Sequence, residues 1–153
     1  MKKERFIASL EEMLKFGEQL GQAVKGAEVF ELVGDVGTGK TTLVKGLARG
    51  LHITDVVQSP TFTINRVYQA PGGLTLFHYD FYRLNEPGIM RQELSESLDE
   101  SHGVIALEWD DTVHDLLPPE RTIRIELHYA GETGRQVTLF VPNQLSYIME
   151  AIE

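Results

Sequence analysis

A strand, a glycine loop and a helix in immediate succession constrain this chain more than any other stretch of it. Val29-Phe30-Glu31-Leu32-Val33 reads as a short buried strand, and residues 40–49, closed by Gly50, read as a helix. Between them Gly34-Asp35-Val36-Gly37-Thr38-Gly39-Lys40-Thr41 is a complete G-x-x-x-x-G-K-[ST] phosphate-binding loop. In this order, successive backbone N–H groups surround an anion at the positive end of a helix dipole. Glycines at 34, 37 and 39 are expected to supply positive φ and close approach to the phosphates. Lys40 can then reach the β- and γ-phosphates, and the Thr41 hydroxyl can ligate Mg²⁺.

At 153 residues and 42% apolar composition, the chain is long enough for one domain, residues 1–153, with a core that needs no cross-links. It has no cysteine, so disulfides and thiolate metal sites are excluded. No segment approaches the ~20 apolar residues of a membrane span, and no apolar run follows Met1-Lys2-Lys3-Glu4-Arg5-Phe6. A soluble, unprocessed cytosolic chain is the expectation. Fourteen Lys and Arg against 23 Asp and Glu leave a net charge of −9, which serves solubility and opposes autonomous binding to a nucleic acid.

Along the chain, Phe6-Ile7-Ala8 suggests a short strand and Ser9-x-x-Glu12 a capping box for a helix running to about Val24. Leu10, Met13, Leu14, Leu20 and Val24 supply its apolar face, while Gly17 and Gly21 weaken it by roughly 1 kcal/mol each. Leu43, Leu47 and Leu51 recur at helical spacing and face inward. Thr63-Ile64-Asn65-Arg66-Val67-Tyr68 and Leu74-Thr75-Leu76-Phe77-His78-Tyr79-Asp80 flank Pro71-Gly72-Gly73 as a hairpin. Helical pieces over 85–100 precede Val104-Ile105-Ala106-Leu107, whose wholly apolar run fits a central strand buried on both faces. Ile123, Ile125 and Leu127 alternate with polar residues, and with residues 137–141 they form a second hairpin, expected at a sheet edge, before a terminal helix from about Asn143. The fold class is α/β: a single-domain P-loop NTPase, three-layer α/β/α, with a mixed sheet and antiparallel hairpins.

Turnover needs Mg²⁺ and a residue to orient or deprotonate the nucleophile. Glu108 follows the apolar strand and should stand at the sheet edge where the phosphate loop opens, and Asp80 ends the return strand of the first hairpin. Either carboxylate is a candidate for metal binding, directly or through water, or for positioning an attacking water. Asp110 and Asp111 read as a solvated loop, Arg83 as a phosphate or salt-bridge partner, and Trp109 as packing beside the site. Ser59-Pro60-Thr61-Phe62 places small hydroxyls where switch segments of nucleotide hydrolases lie. The five histidines show no metal-ligand spacing.

Together, the phosphate loop with Thr42, Ser59-Pro60-Thr61-Phe62, His78-x-Asp80-x-Tyr82-Arg83-Leu84 and Glu108-Trp109 resemble the TsaE (YjeE-like) family of small bacterial P-loop ATPases. The resemblance runs in order from the loop to about residue 111, with Val36 and Thr38 where many members have leucine and alanine. It implies a cytoplasmic ATPase needed for N6-threonylcarbamoylation of adenosine 37 in tRNAs that read ANN codons, acting through the TsaB–TsaD complex and on tRNA only indirectly. It further implies Lys40 and the loop amides of residues 35–42 as the ATP-phosphate site, and Thr41 or Thr42, Asp80 and Glu108 for Mg²⁺ and hydrolysis. Residues 59–62 would be the first switch and 78–82 the second. A small-molecule kinase, which would bring lid arginines, and a nucleotide-dependent binding switch without useful hydrolysis are the alternative readings. The absence of an N-K-x-D motif disfavours GTP, and self-association is left open.

Overall fold

A computed structural model describes residues 1–57, 65–81, 88–109 and 114–153. Seven strands form one mixed sheet: β1 (Lys2–Ile7), β2 (Val29–Val33), β3 (Asn65–Gln69), β4 (Thr75–Asp80), β5 (Gly103–Trp109), β6 (Thr122–Ala130) and β7 (Gly134–Phe140). Their order across the sheet is β1-β7-β6-β2-β5-β4-β3. Strand β2 is central and runs parallel to both β5 and β6, and β4 is parallel to β5. The three remaining pairings are antiparallel. Among the described residues four α-helices flank the sheet: α1 (Leu10–Ala23), α2 (Lys40–Gly50), α3 (Gly88–Leu98) and α4 (Ser146–Ala151).

Periodicity explains how the faces are filled. In β2, Phe30 and Leu32 point to one side with Ile123, Ile125 and Leu127 of β6 and Val137 and Leu139 of β7. Met13, Phe16 and Leu20 of α1, Leu43, Val44 and Leu47 of α2, and Ile148 of α4 close over that side as the main core. On the other side Val29, Tyr79, Phe81, Ile105 and Leu107 meet Leu94 of α3. Residues 104–107 are buried on both faces, as their unbroken apolar run predicts.

Several expectations need correction. The first strand spans Lys2–Ile7 and pairs with β7, so the second hairpin lies inside the sheet and β1 forms the edge. Leu10 does not belong to the helix core; it is 68% exposed, and Phe16 takes a core position instead. Helical spacing defines a face but not how far its packing partner extends. The capping box forms, with Glu12 N–H donating to Ser9 Oγ at 3.2 Å, but the Glu12 carboxylate reaches back to Ala8 N–H at 2.7 Å.

Gly17 and Gly21 weaken α1 in isolation, yet here they let two backbones touch. A Cβ on Gly17 would lie 2.5 Å from Leu43 O and 2.9 Å from Gly46 Cα; one on Gly50 would lie 2.4 Å from Glu18 O. Glycines 17 and 21 of α1 therefore face glycines 46 and 50 of α2, and the propensity loss is offset by a close helix crossing.

Two buried carboxylates fix the central strand. Glu28, just before β2, accepts hydrogen bonds from the N–H groups of Lys25, Gly26 and Ala27 at 2.7–2.9 Å and from Tyr147 Oη at 2.5 Å. Glu31 is fully buried and is held by Arg124 of β6 and by His114 Nδ1 at 2.9 Å. Each carboxylate thus has the partners that a buried charge requires.

Candidate functional site

The phosphate loop leaves the C-terminal end of β2 and enters α2 at Gly39, whose φ of +106° is the left-handed conformation that glycine adopts without strain. With no side chain at the N-cap, no side-chain cap covers the first turn of α2, the feature that makes a helix start receptive to an anion. Gly37 also has positive φ, +85°. Gly34 does not, and its role differs from the one expected: a Cβ there would sit 2.7 Å from both Leu127 O and Thr38 Oγ1. Its need is for close packing against β6, not for unusual φ.

Internal hydrogen bonds give the loop its shape. Thr38 N–H and Oγ1 both donate to Asp35 O, at 3.2 and 2.8 Å, closing a turn that leaves Asp35, Val36 and Gly37 exposed. Lys40 is buried, and its Nζ donates to Gly34 O at 2.5 Å and Asp35 O at 3.1 Å. Burial pushes its ammonium below the ordinary lysine value, opposed by the carboxylates of Glu108, Asp80 and Asp35.

Strand register brings the two acids to the loop. Asp80 is paired with Glu108 across β4 and β5, and Glu108 with Leu32 across β5 and β2, so both carboxylates stand beside the end of β2. Glu108 is only 4% exposed. Its Oε1 accepts from Thr41 Oγ1 at 2.9 Å, and its Oε2 faces His78 Nε2 within hydrogen-bond reach. With Glu108 ionised the shared proton belongs to Nε2, and His78 Nδ1 has no hydrogen-bond partner among the described residues. Thr41, in the first turn of α2, is therefore the hydroxyl that meets the carboxylate, and Thr42, half-buried, is the next residue of that turn.

The donors fit a hard cation. A hydroxyl and a carboxylate in contact, with a second carboxylate in register beside them, are oxygen ligands of the kind Mg²⁺ takes. Among the described residues no three histidine, cysteine or acidic side chains converge on one point. Such a site suits an ion that completes its shell with water and phosphate oxygens.

Other residues here were not legible as site residues. A cavity of about 500 Å³ adjoins Thr38 and Gly39, between Leu10 and Met13 of α1 and Glu132 and Arg135 of the second hairpin. Tyr129 Oη donates to Val36 O, and Arg135 Nη2 donates to Gly37 O at 3.2 Å. His78 was legible in part, because it shares a strand face with Asp80 at i, i+2. Residues 59–62, Tyr82, Arg83, Leu84, Asp110 and Asp111 lie outside the described residues.

Residues 7–137 match the family described as Threonylcarbamoyl adenosine biosynthesis protein TsaE. Three relatives, each described as tRNA threonylcarbamoyladenosine biosynthesis protein TsaE, illustrate the likeness. That of Nostoc sp. is 36% identical over 88% of this chain and 83% of its own length. That of Bacillus subtilis is 42% identical over 74% and 70%, and that of Aquifex aeolicus 39% identical over 90% and 96%. The crystal structure of Bacillus subtilis YdiB superposes with a TM-score of 0.79 at 31% identity, covering 99% of this chain and 94% of that one. With a family match over most of its length, and relatives of this identity aligned over most of theirs, the chain belongs to the TsaE family.

Proposed function

We propose that this protein is a cytoplasmic Mg-dependent ATPase that works as one P-loop domain in N6-threonylcarbamoylation of adenosine 37 in tRNAs reading ANN codons. It acts through the TsaB–TsaD complex. The observation that carries the reading is the contact between Thr41, in the first turn behind the phosphate loop, and the buried Glu108 carboxylate. Loop amides of residues 35–42 bind the ATP phosphates, and Lys40 exchanges its contacts with Gly34 O and Asp35 O for the terminal phosphates. The apolar walls of the cavity beside Gly39, Leu10 and Met13, suit the adenine ring.

Thr41 and Glu108 would hold Mg²⁺, which when bound neutralises charge on the phosphates. His78 keeps the Glu108 carboxylate turned toward Thr41. Asp80, in register with Glu108, orients the water that attacks the γ-phosphorus, so that the bond to the bridging oxygen breaks and ADP leaves. The net charge of −9 favours a protein partner over direct tRNA binding. Turnover alone is slow, because among the described residues no lid covers the loop, and water is excluded only when the partner docks.

Single-turnover cleavage of ATP, measured with and without the TsaB–TsaD pair, tests this. Cleavage is expected to be slow alone and faster with the pair, with phosphate released to water. Lys40→Ala should lose binding and turnover, and Glu108→Ala should bind ATP but not cleave it. Wild-type cleavage by Glu108→Ala would show that the carboxylate is misassigned, and binding without cleavage under both conditions would show a switch and not an ATPase.

A further inference from the structure

We propose that Tyr129 is a positioning residue for the phosphate loop: its hydroxyl sets the orientation of the Val36–Gly37 peptide and so aims the Gly37 N–H at the bound phosphates. The inference rests on the reading of the loop as an ATP site. Residues 35–38 form a turn closed by Thr38 N–H on Asp35 O, with Gly37 in its third position at φ +85°. That angle is the signature of a type II turn. Type I and type II turns share their closing hydrogen bond and differ by a flip of the central peptide, here Val36 C=O with Gly37 N–H. Because a trans peptide is planar, its C=O and N–H point to opposite sides, and whatever holds the oxygen also aims the hydrogen.

Tyr129 holds that oxygen. Its hydroxyl donates to Val36 O, and a Cβ on Gly37 would lie 3.0 Å from the same hydroxyl. The next carbonyl, Gly37 O, accepts from Arg135 Nη2 at 3.2 Å. Arg135 is the cross-strand neighbour of Tyr129 and lies over its ring at 4.7 Å from the centroid. Two successive carbonyls at the loop tip are thus tied to the second hairpin, and Gly37 N–H is turned away from it, into the loop that Lys40 closes. Val36 is 76% exposed and cannot fix the peptide by packing. Tyr129 is itself 53% exposed, so core burial does not account for its placement.

Tyr129→Phe removes the hydroxyl and keeps the ring under Arg135. Binding of Mg–ATP and steady-state hydrolysis are measured for wild type, Tyr129→Phe and Lys40→Ala, together with thermal midpoints. The expected result is nucleotide affinity weakened about three- to tenfold, the worth of one hydrogen bond, with kcat within about twofold and an unchanged midpoint. Wild-type affinity in Tyr129→Phe, alongside lost binding in Lys40→Ala, overturns this inference and leaves the ATP site standing. A fall in kcat at unchanged affinity also overturns it. Failure of the wild-type protein to bind Mg–ATP overturns both.

Discussion

Replacing Gly46 by alanine adds one methyl group at the point where α1 and α2 cross. A Cβ there would lie 2.4 Å from Leu14 O, 2.8 Å from Gly17 Cα and 3.1 Å from Glu18 N. All three neighbours are backbone atoms, so no side chain can rotate out of the way. Ordinary contact begins at 3.4 Å, and the helices must part by about 1 Å. Two effects compete. Alanine is favoured over glycine inside a helix by about 1 kcal/mol, whereas overpacking costs about 1–3 kcal/mol, the upper end applying where only backbone can yield. The net is a destabilisation of about 2 kcal/mol, or a fall in Tm of about 4–8 °C for a chain of this size. Because Lys40 begins the same helix about 9 Å away, the displacement should also weaken ATP binding. Circular dichroism melts and urea titrations read the stability, with Gly72→Ala as the matched control, since a Cβ at Gly72 meets nothing within 4 Å. The control should stay within about 0.5 kcal/mol of wild type. A Gly46→Ala protein as stable as wild type, or more so, would mean that propensity wins and the two backbones are not in contact.

Glu28 provides a pH test. Burial opposes its ionisation, but the Tyr147 hydroxyl and the N–H groups of Lys25, Gly26 and Ala27 outweigh it and hold the carboxyl below its ordinary value of 4.5. The stabilisation is therefore complete above about pH 4.5 and is lost as pH falls through the lower folded value. Glu28→Gln should cost about 2 kcal/mol at pH 7, and the gap to wild type should narrow in acid; a gap independent of pH in urea titrations would refute the charge-assisted anchor. His78→Asn should lower kcat about ten- to a hundredfold at little change in ATP affinity, because Glu108 loses its orientation. His78→Gln, whose amide N–H reaches the same oxygen, should restore most of the rate, and wild-type kcat in His78→Asn would show that Glu108 needs no such support.

What could be read from sequence was what depends on neighbours along the chain. The phosphate loop is legible because its glycines, lysine and threonine sit at fixed offsets between an apolar strand and a helix with leucines at i, i+4 and i+8. Strand β5 is legible because four consecutive apolar residues fit only a position buried on both faces, which also places Glu108 at its far end. Parallel pairing then put Asp80 and Glu108 at one edge. The same local view misjudged Gly17 and Gly21, whose value lies in the glycines of another helix, and took Gly34 for a conformational device when Leu127, far along the chain, is what it accommodates.

Those errors share a cause with the residues that went unseen. Tyr129 and Arg135 reach the loop because β6 lies beside β2, and the second hairpin is interior because β1 crosses from the N-terminus to pair with β7. His78 grips Glu108 because the β4–β5 register sets it opposite Ala106, two residues before that carboxylate. Sequence alone determined the strand, glycine loop and helix in succession and the acids at the sheet edge, since turn chemistry and side-chain periodicity act over a few residues. Strand order and register were decided only in the tertiary structure, by backbone hydrogen bonds and shared burial between segments up to about 140 residues apart. Spacing along the chain carries no record of those pairings.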